Sequence, residues 1–396
     1  MKVFLGKSYM MNNNGKIRLI SDIKADNDEF SLWYEVEEKY ARYLVTERCD
    51  PFVLVLLPWI MMKANKIQQK IILECEGRIS AKLLHQLSNY YIPVLSDAIS
   101  YYSAIQINAE ADAGKLPCAE AVGTGISGGV DSSYTIAKYK DNPLQTYRLT
   151  HVVYNNIGTY GGFDSEAEIK LQDKTRQIAQ DTGLEYIIVT SNVCLTLYNA
   201  AHAPIVPAVF HSVILAFQKL FSIYYYSSAF VAKDFNLNEA DAAYYDLLNV
   251  HCFSTENTSF YSSGIELTRL KKLDYIADIS FVQDNLFVCL NTNKGDNCGN
   301  CAKCTRTMAE LEVLEKLNKF DKVFDVDAFH KNEGYHWGYV LLKSKSDRFC
   351  KEITELYLKK NKHFSIKIIL SAFIKWVKRG FTTENHMRRR VENEIR

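Results

Sequence analysis

The sequence predicts an α/β protein whose central domain is built on a parallel sheet, and three observations support this prediction. Between Cys118 and about Val193, apolar runs alternate with helical stretches in the order expected of a parallel sheet. A glycine-rich turn, Ser127–Ser133, lies between the first of these apolar runs and a helical stretch. From Thr305 onward the pattern is mainly helical, which indicates a further C-terminal region.

Composition places the chain among ordinary globular proteins. It has 396 residues, of which 47% are hydrophobic and 23% are charged, and its net charge is +1. This balance excludes a disordered or broadly basic nucleic-acid-binding protein, so a nucleic-acid role would need a local basic patch. The length exceeds that of most single cores, and we expect two domains or one enlarged α/β domain.

Neither a membrane span nor a disulfide framework is expected. The longest apolar run, Pro51–Met62, is shorter than the roughly 20 residues that cross a bilayer and is interrupted by Pro58, so we expect buried core. No N-terminal segment combines a charged start, an apolar centre and a small-residue cleavage site. We therefore expect a cytoplasmic protein whose ten cysteines stay reduced.

These patterns divide the chain into three regions. Residues 1–112 predict a small α/β domain of unknown role, residues 113–315 the parallel-sheet domain, and residues 316–396 a helical region. In the first region the predicted elements are a strand at Lys70–Cys75 and a helix at Ser80–Leu87. The predicted strands of the parallel-sheet domain are Ala121–Ile126, His151–Asn155, Glu185–Thr190 and Ile223–Phe230. The predicted helices between them are Ser132–Lys140, Ser165–Thr182 and Pro207–Phe221.

The turn after the first of these strands has the chemistry of a phosphate-binding loop. Its residues are Ser127, Gly128, Gly129, Val130, Asp131, Ser132 and Ser133. Successive backbone N–H groups and the helix dipole would face an incoming anion, and glycine lets the backbone approach it closely. Ser127 and Ser132 can add hydroxyl donors, and Asp131 can hold Mg²⁺ or orient the loop. A Walker lysine is missing, which separates this loop from those of P-loop kinases and GTPases.

The loop resembles the SGGxDS signature of the PP-loop ATP pyrophosphatases. The resemblance covers roughly Cys118–Thr305 and implies an adenine nucleotide alpha hydrolase-like fold that uses ATP and Mg²⁺. It implies that Ser127–Ser133 binds ATP, that Asp131 and Ser132 take part in catalysis, and that the adenine lies near Tyr154 at the end of the second strand.

A basic segment lies between the predicted sheet and the cysteines. Arg269, Lys271 and Lys272 follow Gly264 at a place where members of this superfamily commonly carry a residue that neutralises phosphate charge. The resemblance implies such a role for one of the three, and we assign it to Lys272. The alternative is a solvated basic helix face.

Four of the ten cysteines form a C-x8-C-x2-C-x2-C array. They are Cys289, Cys298, Cys301 and Cys304, with Gly299 inside the tightest turn. Four thiolates can bind one tetrahedral Zn²⁺, and a closed set leaves no ligand position for water, so we expect a structural ion in a zinc knuckle. An iron–sulfur cluster and redox-active thiols are the two alternatives.

The cysteine spacing, downstream of the phosphate loop, resembles the zinc site of 7-cyano-7-deazaguanine synthases. The chain departs from that family in having an additional N-terminal region and about ninety residues after Cys304. It also reads Asn199-Ala-Ala-His202-Ala-Pro204 where the family has a Gly-Arg-Asn signature. Because that neighbourhood would face the substrate, the fold and the ATP chemistry carry over better than the substrate does.

Four residues outside these motifs are further candidates for chemistry, and each has a structural alternative. His202 and His211 lie on a largely apolar segment and could act as bases, although histidines that simply pack in a helix are commoner. Cys194 and Cys252 could carry a persulfide in a sulfur-transfer reaction, although buried inert thiols are commoner.

The C-terminal region ends in an apolar helical pattern and a basic tail. The apolar positions that recur at helical spacing are Ile366, Ile369, Leu370, Phe373 and Val377. We expect this face to dock onto the protein core, with a membrane surface or RNA as alternatives. The tail Lys375–Arg396 has seven Lys or Arg against three Glu, and a protein or RNA partner would bind there.

These features predict an ATP-dependent ligase that releases AMP and pyrophosphate. It would adenylate a carboxylate or amide oxygen of an unidentified acceptor, and a nitrogen nucleophile would then displace AMP, as the resemblance implies. An ATP-dependent sulfurtransferase acting on tRNA or a small molecule is one competitor. The other is a nucleotide-binding partner in a biosynthetic or defence complex. A homodimer is compatible with each of these three functions.

Overall fold

The computed structural model describes residues 1–158, 160–198, 203–289, 295–360, 363–366, 368–371 and 373–374. The chain forms two compact units, of which the first is built mainly from Met1–Thr268 and the second begins at Arg269. His202 and the basic tail Lys375–Arg396 lie outside the described residues.

A large sheet runs through the first unit. The strands of this unit are β1 (Lys2–Leu5), β2 (Tyr9–Asn13), β3 (Lys16–Ala25), β4 (Asp28–Glu37), β5 (Ile72–Cys75), β6 (Ile79–Ser80), β7 (Gln106–Asn108), β8 (Ala111–Asp112), β9 (Ala121–Gly125), β10 (His151–Asn156), β11 (Glu185–Ser191), β12 (Phe221–Ser227) and β13 (Ser259–Ser263). Within the described chain, eleven of them form one sheet in the order β13-β12-β9-β10-β11-β4-β3-β1-β5-β7, with β2 paired to β3. The short strands β6 and β8 pair separately.

Most pairings in this sheet are parallel. The strands from β13 through β12, β9 and β10 to β11 are all parallel, as are β1, β5 and β7. The antiparallel strands β4 and β3 join these two parallel groups, because β4 pairs with β11 and β3 pairs with β1. The predicted α/β class with a largely parallel sheet is therefore confirmed. The predicted division into domains at residues 112 and 315 stays a prediction.

Helices connect the parallel strands. Those of the first unit are α1 (Asp50–Ile67), α2 (Ala81–Gln86), α3 (Ile92–Ala98), α4 (Val130–Tyr139), α5 (Glu166–Thr182), α6 (Val193–Tyr198), α7 (Val206–Leu215) and α8 (Asp246–Phe253). Helix α4 connects β9 to β10, and α5 connects β10 to β11, so these strands advance in one direction across the sheet. After β11 the chain returns past β9 and adds β12 and β13 on its other side. The strand order therefore reverses between β9 and β12, and such a reversal opens a crevice at the carboxyl ends of the strands.

The core of the first unit contains the apolar run that the sequence predicts to be buried. Helix α1 contains Pro51–Met62, and nearly all of its apolar side chains are fully buried. It packs against α7, where Ser212 accepts a hydrogen bond of 2.8 Å from the buried hydroxyl of Tyr34 on β4. The core cluster contains apolar residues of α1, α7, β4 and β11, so it joins the N-terminal segment to the parallel strands.

The second unit is helical among its described residues. Its helices are α9 (Arg269–Ile276), α10 (Ser280–Asn285), α11 (Ala302–Val313), α12 (Val326–Lys331), α13 (Glu333–Lys343) and α14 (Arg348–Lys359). Helices α11, α13 and α14 pack around a core that includes Trp337, Val340 and Ile353. Nowhere in the described part of the chain is a helix both long enough and apolar enough to cross a membrane.

The predicted docking of the last apolar face is wrong. Ile366, Ile369, Leu370 and Phe373 all lie in helical backbone, and their side chains are exposed. Ile368 packs into the core of the second unit in their place. Val377 lies outside the described residues.

The predicted elements of the parallel-sheet region agree with the structure within a few residues, with one exception. The helix predicted at Pro207–Phe221 ends at Leu215, because the chain turns over residues 216–220 and enters β12 at Phe221. Strand β13 was not predicted from the sequence. Its five residues, SFYSS, contain no alternating apolar run of the kind that indicates a strand.

Candidate functional site

The glycine-rich turn lies at the carboxyl end of β9, where the strand order reverses between β9 and β12. Gly128 has a φ of +70°, in the left-handed region that favours glycine. Gly129 is the N-cap of α4 and contributes no side chain to cap its first turn. The first N–H groups of a helix have no intrahelical acceptor, so this turn presents backbone donors and the positive end of the helix dipole. It can bind an anion such as a phosphate group.

Two serine hydroxyls close the turn. The Oγ atoms of Ser127 and Ser132 lie 3.1 Å apart, and the N–H of Gly129 donates to Ser127 Oγ over 3.3 Å. Ser132 Oγ also donates to the carbonyl of Gly129 over 3.1 Å. Ser127 is exposed and Ser132 is buried, so Ser127 offers the accessible hydroxyl and Ser132 holds the loop in shape.

The remaining residues of the loop have different surroundings. Val130 and Ser133 are buried, so their side chains pack and only their backbone can face a ligand. Asp131 is in the first turn of α4 and is partly exposed. The structure thus brings the predicted residues Ser127–Ser133 together in one turn, and a carboxylate lies beside its N–H donors.

A set of hydroxyl groups that the sequence analysis missed links α4 to the sheet through hydrogen bonds. Thr135 Oγ1 lies 3.0 Å from the carbonyl oxygen of Asp131 and 2.9 Å from Ser263 Oγ, and it accepts a hydrogen bond of 2.8 Å from Ser227. Ser227 ends β12 and Ser263 ends β13, so these bonds tie the first turns of α4 to the carboxyl ends of two strands. In the sequence, the serines at the ends of these two strands could have indicated this set of hydroxyl groups. That inference would have required the position of β13 to be known.

The segment after β12 also carries polar and aromatic groups near the carboxyl ends of the parallel strands. Ser228 Oγ donates a hydrogen bond of 2.9 Å to the buried carboxylate of Asp246 at the start of α8. The rings of Phe230 and Tyr244 stack with their centroids 3.8 Å apart. These contacts order the loop that follows β12, on the side of the reversal opposite β10.

Tyr154, the predicted contact for adenine, lies on β10 next to β9. Its side chain is buried, and burial raises the pKa of its hydroxyl far above the ordinary value. The carboxylate of Glu168 on α5 raises that pKa further. The side chain therefore belongs to the packing between β10 and α5, and a nucleotide contact at Tyr154 would come from its backbone.

The three basic residues considered for phosphate contact lie in the second unit, on α9. Arg269 and Lys272 are buried, so the alternative of a solvated basic face is wrong for these two, whereas Lys271 is exposed. Arg269 Nε lies 3.3 Å from the buried carboxylate of Glu310, and Arg269 Nη2 donates to Thr307 over 3.1 Å. The role of Lys272 at a phosphate stays a prediction.

The four cysteines of the array come together in the second unit. The sulfur atoms of Cys289, Cys298, Cys301 and Cys304 all lie within 4.8 Å of one another, and Cys289 Sγ is 3.9 Å from Cys301 Sγ. Four sulfur ligands at about 2.3 Å from a tetrahedral ion lie about 3.8 Å apart, so the observed spacing fits such an ion with small adjustments. Burial raises the pKa of the Cys304 thiol well above its ordinary value, and a bound cation would offset that effect.

Backbone and side-chain hydrogen bonds hold the cysteine turn in shape. The N–H of Cys301 donates to Cys298 Sγ over 3.3 Å, and the N–H of Cys304 donates to Cys301 Sγ over 3.4 Å. Gly299 has a φ of +71°, which lets the chain turn between Cys298 and Cys301. Asn297 accepts from the N–H of Val288 and donates to two carbonyl groups. This arrangement can hold a zinc-like metal ion.

Three other predicted candidates are buried side chains. His211 is fully buried on α7, where Nδ1 lies 2.7 Å from the carbonyl of Pro207, and burial lowers its pKa to about 4. Its ring packs against aromatic side chains, so it is a core histidine. Cys194 and Cys252 are fully buried, and burial raises the pKa of each thiol to about 12.

No protein-family model matches the chain, and no curated protein matches it either. The observations that bear on its function are therefore the N–H donors of the Ser127–Ser133 turn, the position of this turn at the reversal of strand order, and the four-cysteine site.

Proposed function

We propose that the protein is a PP-loop, AMP-forming ligase that uses MgATP to adenylate an acceptor. One observation carries the proposal: the Ser127–Ser133 turn presents N–H donors, an accessible hydroxyl and a carboxylate at the reversal between β9 and β12. Open α/β sheets bind their ligands at such a position. The resemblance of this turn to the SGGxDS signature supports ATP as the ligand.

Each group of the loop would have a defined task. The N–H groups at the start of α4 would bind the β- and γ-phosphates, which leave together as pyrophosphate. Ser127 would donate its hydroxyl to a phosphate oxygen, and Ser132 would hold the loop in its bound shape. Asp131 would hold Mg²⁺, which neutralises phosphate charge. Fixed donors of this kind stabilise the charge that develops in the transition state, which is usually the largest catalytic contribution.

The acceptor would supply an oxygen nucleophile. Attack of a carboxylate or amide oxygen on the α-phosphorus breaks the bond to the β-phosphate and gives an adenylated acceptor with pyrophosphate. A nitrogen nucleophile then displaces AMP, which forms an amide or, after a second activation, a nitrile. The resemblance to 7-cyano-7-deazaguanine synthases supports this second step.

The cysteine site would hold Zn²⁺ with a structural task. All four ligands are thiolates, which leaves no ligand position for water or substrate. The site begins α11 through the N-cap Cys301, so the ion would fix the start of a helix in the second unit.

Sulfur transfer is less well supported. Cys194 and Cys252 are fully buried with raised pKa values, whereas a sulfur carrier has to be accessible and readily form a thiolate.

The test is to identify the nucleotide products. The protein would be incubated with [α-³²P]ATP, Mg²⁺, ammonia and pools of candidate carboxylates, and AMP and ADP would be separated. We expect acceptor-dependent AMP, little ADP, and loss of turnover in Asp131→Ala with normal thermal unfolding. Asp141→Ala is the matched control, because its side chain is 80% exposed and lies beyond the end of α4. Acceptor-dependent ADP, or wild-type turnover in Asp131→Ala, would contradict the proposal.

A further inference from the structure

The helical stretch after residue 365 presents an exposed apolar face. Five large apolar side chains lie in this helical stretch, and each is about half exposed or more. They are Ile366 (78% exposed), Ile369 (51%), Leu370 (54%), Phe373 (60%) and Ile374 (47%). Single exposed apolar residues are common in proteins, but a contiguous group of this size marks an interaction surface.

The five residues lie on one side of the helix. Their spacing is i, i+3, i+4, i+7 and i+8, which places them within one stripe of an α-helix. Ile368, which this spacing puts on the opposite side, is 2% exposed and packs into the core of the second unit. One side of the helix is thus attached to the unit and the apolar stripe is directed away from it.

The sequence around this stripe is strongly basic. No Asp or Glu occurs between Glu355 and Glu384, whereas the chain as a whole is nearly balanced at 47 basic to 46 acidic residues. The basic residues in this interval are Lys359, Lys360, Lys362, Lys367, Lys375, Lys378 and Arg379. An apolar helical stripe with basic flanks and nearby Trp376 is the pattern of helices that lie in a membrane interface.

We propose that this apolar stripe, Ile366–Ile374, binds the surface of a membrane that contains anionic lipids. The stripe would enter the boundary between headgroups and acyl chains, and the basic residues would pair with the lipid phosphates. A second copy of the chain is a poorer occupant, because it would bring two segments of the same positive sign together. RNA would attract the basic residues, but its phosphates cannot bury the five aliphatic and aromatic side chains of the stripe.

The test measures binding of the full-length protein to lipid vesicles by flotation. Vesicles of phosphatidylcholine mixed with phosphatidylglycerol would be compared with vesicles of phosphatidylcholine alone. We expect binding to the mixed vesicles that weakens as salt rises, and much weaker binding to the neutral ones. In Phe373→Ser the affinity for mixed vesicles should fall about tenfold, because the apolar surface of a phenylalanine no longer leaves water.

Leu144→Ser is the matched control. Leu144 is 62% exposed in the first unit, so its substitution removes a comparable exposed apolar side chain and should leave vesicle binding unchanged. Thermal unfolding of each variant is recorded to verify that the fold is intact. Wild-type binding by Phe373→Ser, equal binding to neutral vesicles, or retention of RNA without vesicle binding would each overturn the proposal. So would formation of a dimer that Phe373→Ser abolishes, because the stripe would then be its interface.

Discussion

Replacing single cysteines of the array should separate metal binding from packing. Zinc contributes about 10–16 kcal/mol in small zinc domains, so each of four thiolates contributes about 3 kcal/mol, and its loss weakens binding about a hundredfold. Cys298 is exposed, so Cys298→Ser should lose this affinity and little else. Cys304 is fully buried in the first turns of α11, so Cys304→Ser should also lose about 1–3 kcal/mol of unfolding free energy.

The assay combines metal analysis with a chelator competition. Protein purified without oxygen should contain one zinc per chain, and each variant would be titrated against a chromogenic chelator of known affinity. Cys118→Ser, which changes a partly buried cysteine of the first unit, should keep wild-type zinc affinity. Iron with acid-labile sulfide, or undiminished zinc affinity in Cys298→Ser, would refute the assignment. In either case the alternatives of a cluster or of redox-active thiols would return.

Three further predictions concern the first unit. Thr135→Val should lower the unfolding free energy by about 1–3 kcal/mol in urea, because the buried hydroxyl of Ser263 and the partly buried hydroxyl of Ser227 lose their partner. Thr135→Ser keeps a hydroxyl group and should retain most of this stability. Gly128→Ala should cost about 1–2 kcal/mol at its φ of +70° and weaken binding of α,β-methylene-ATP in calorimetry; unchanged affinity would contradict the role of the turn. His211 and Asp50 should affect acid stability with opposite signs, measured by urea unfolding between pH 7 and 4. The pKa of His211 is lowered to about 4, so its contribution is lost as pH falls below 6.5, by up to about 3 kcal/mol, and His211→Leu should remove this loss. The pKa of Asp50 is raised to about 6, so its contribution grows as pH falls below 6, and Asp50→Asn should remove this gain.

The parallel strands and the loop were the predictable part of the fold. Apolar runs such as that of β10 alternate with helices of ordinary length, and the glycines of the loop mark a turn, so local pattern identifies both. The cysteine cluster was predictable for the same reason, because three of its four ligands lie within seven residues. Each of these features is local in the sequence.

What could not be predicted depends on pairing between distant segments. Thr135, Ser227 and Ser263 are ordinary polar residues until β12 pairs with β9 and β13 pairs with β12. The resemblance implied an adenine contact near Tyr154, but its side chain is buried beside Glu168 of α5, which only the packing of that helix reveals. The buried state of Lys272 likewise follows from the packing of a whole helical unit.

The junction between β11 and β4 explains why the N-terminal segment matters to the Ser127–Ser133 turn. Without β4, strand β11 would be an open edge of the parallel group, with unpaired backbone groups on one side. The pairing is reinforced by side chains: Ser191 donates to the carbonyl of Trp33 over 2.6 Å, and Asn192 accepts from the N–H of Trp33 while donating to the carbonyl of Ser31. Asn192 thereby extends the ladder one step past the end of β11. The core cluster also contains residues of both the N-terminal segment and the parallel strands. Strand β4 and its neighbours therefore cover the edge of the parallel group and pack against it, and the candidate site lies at the ends of these parallel strands.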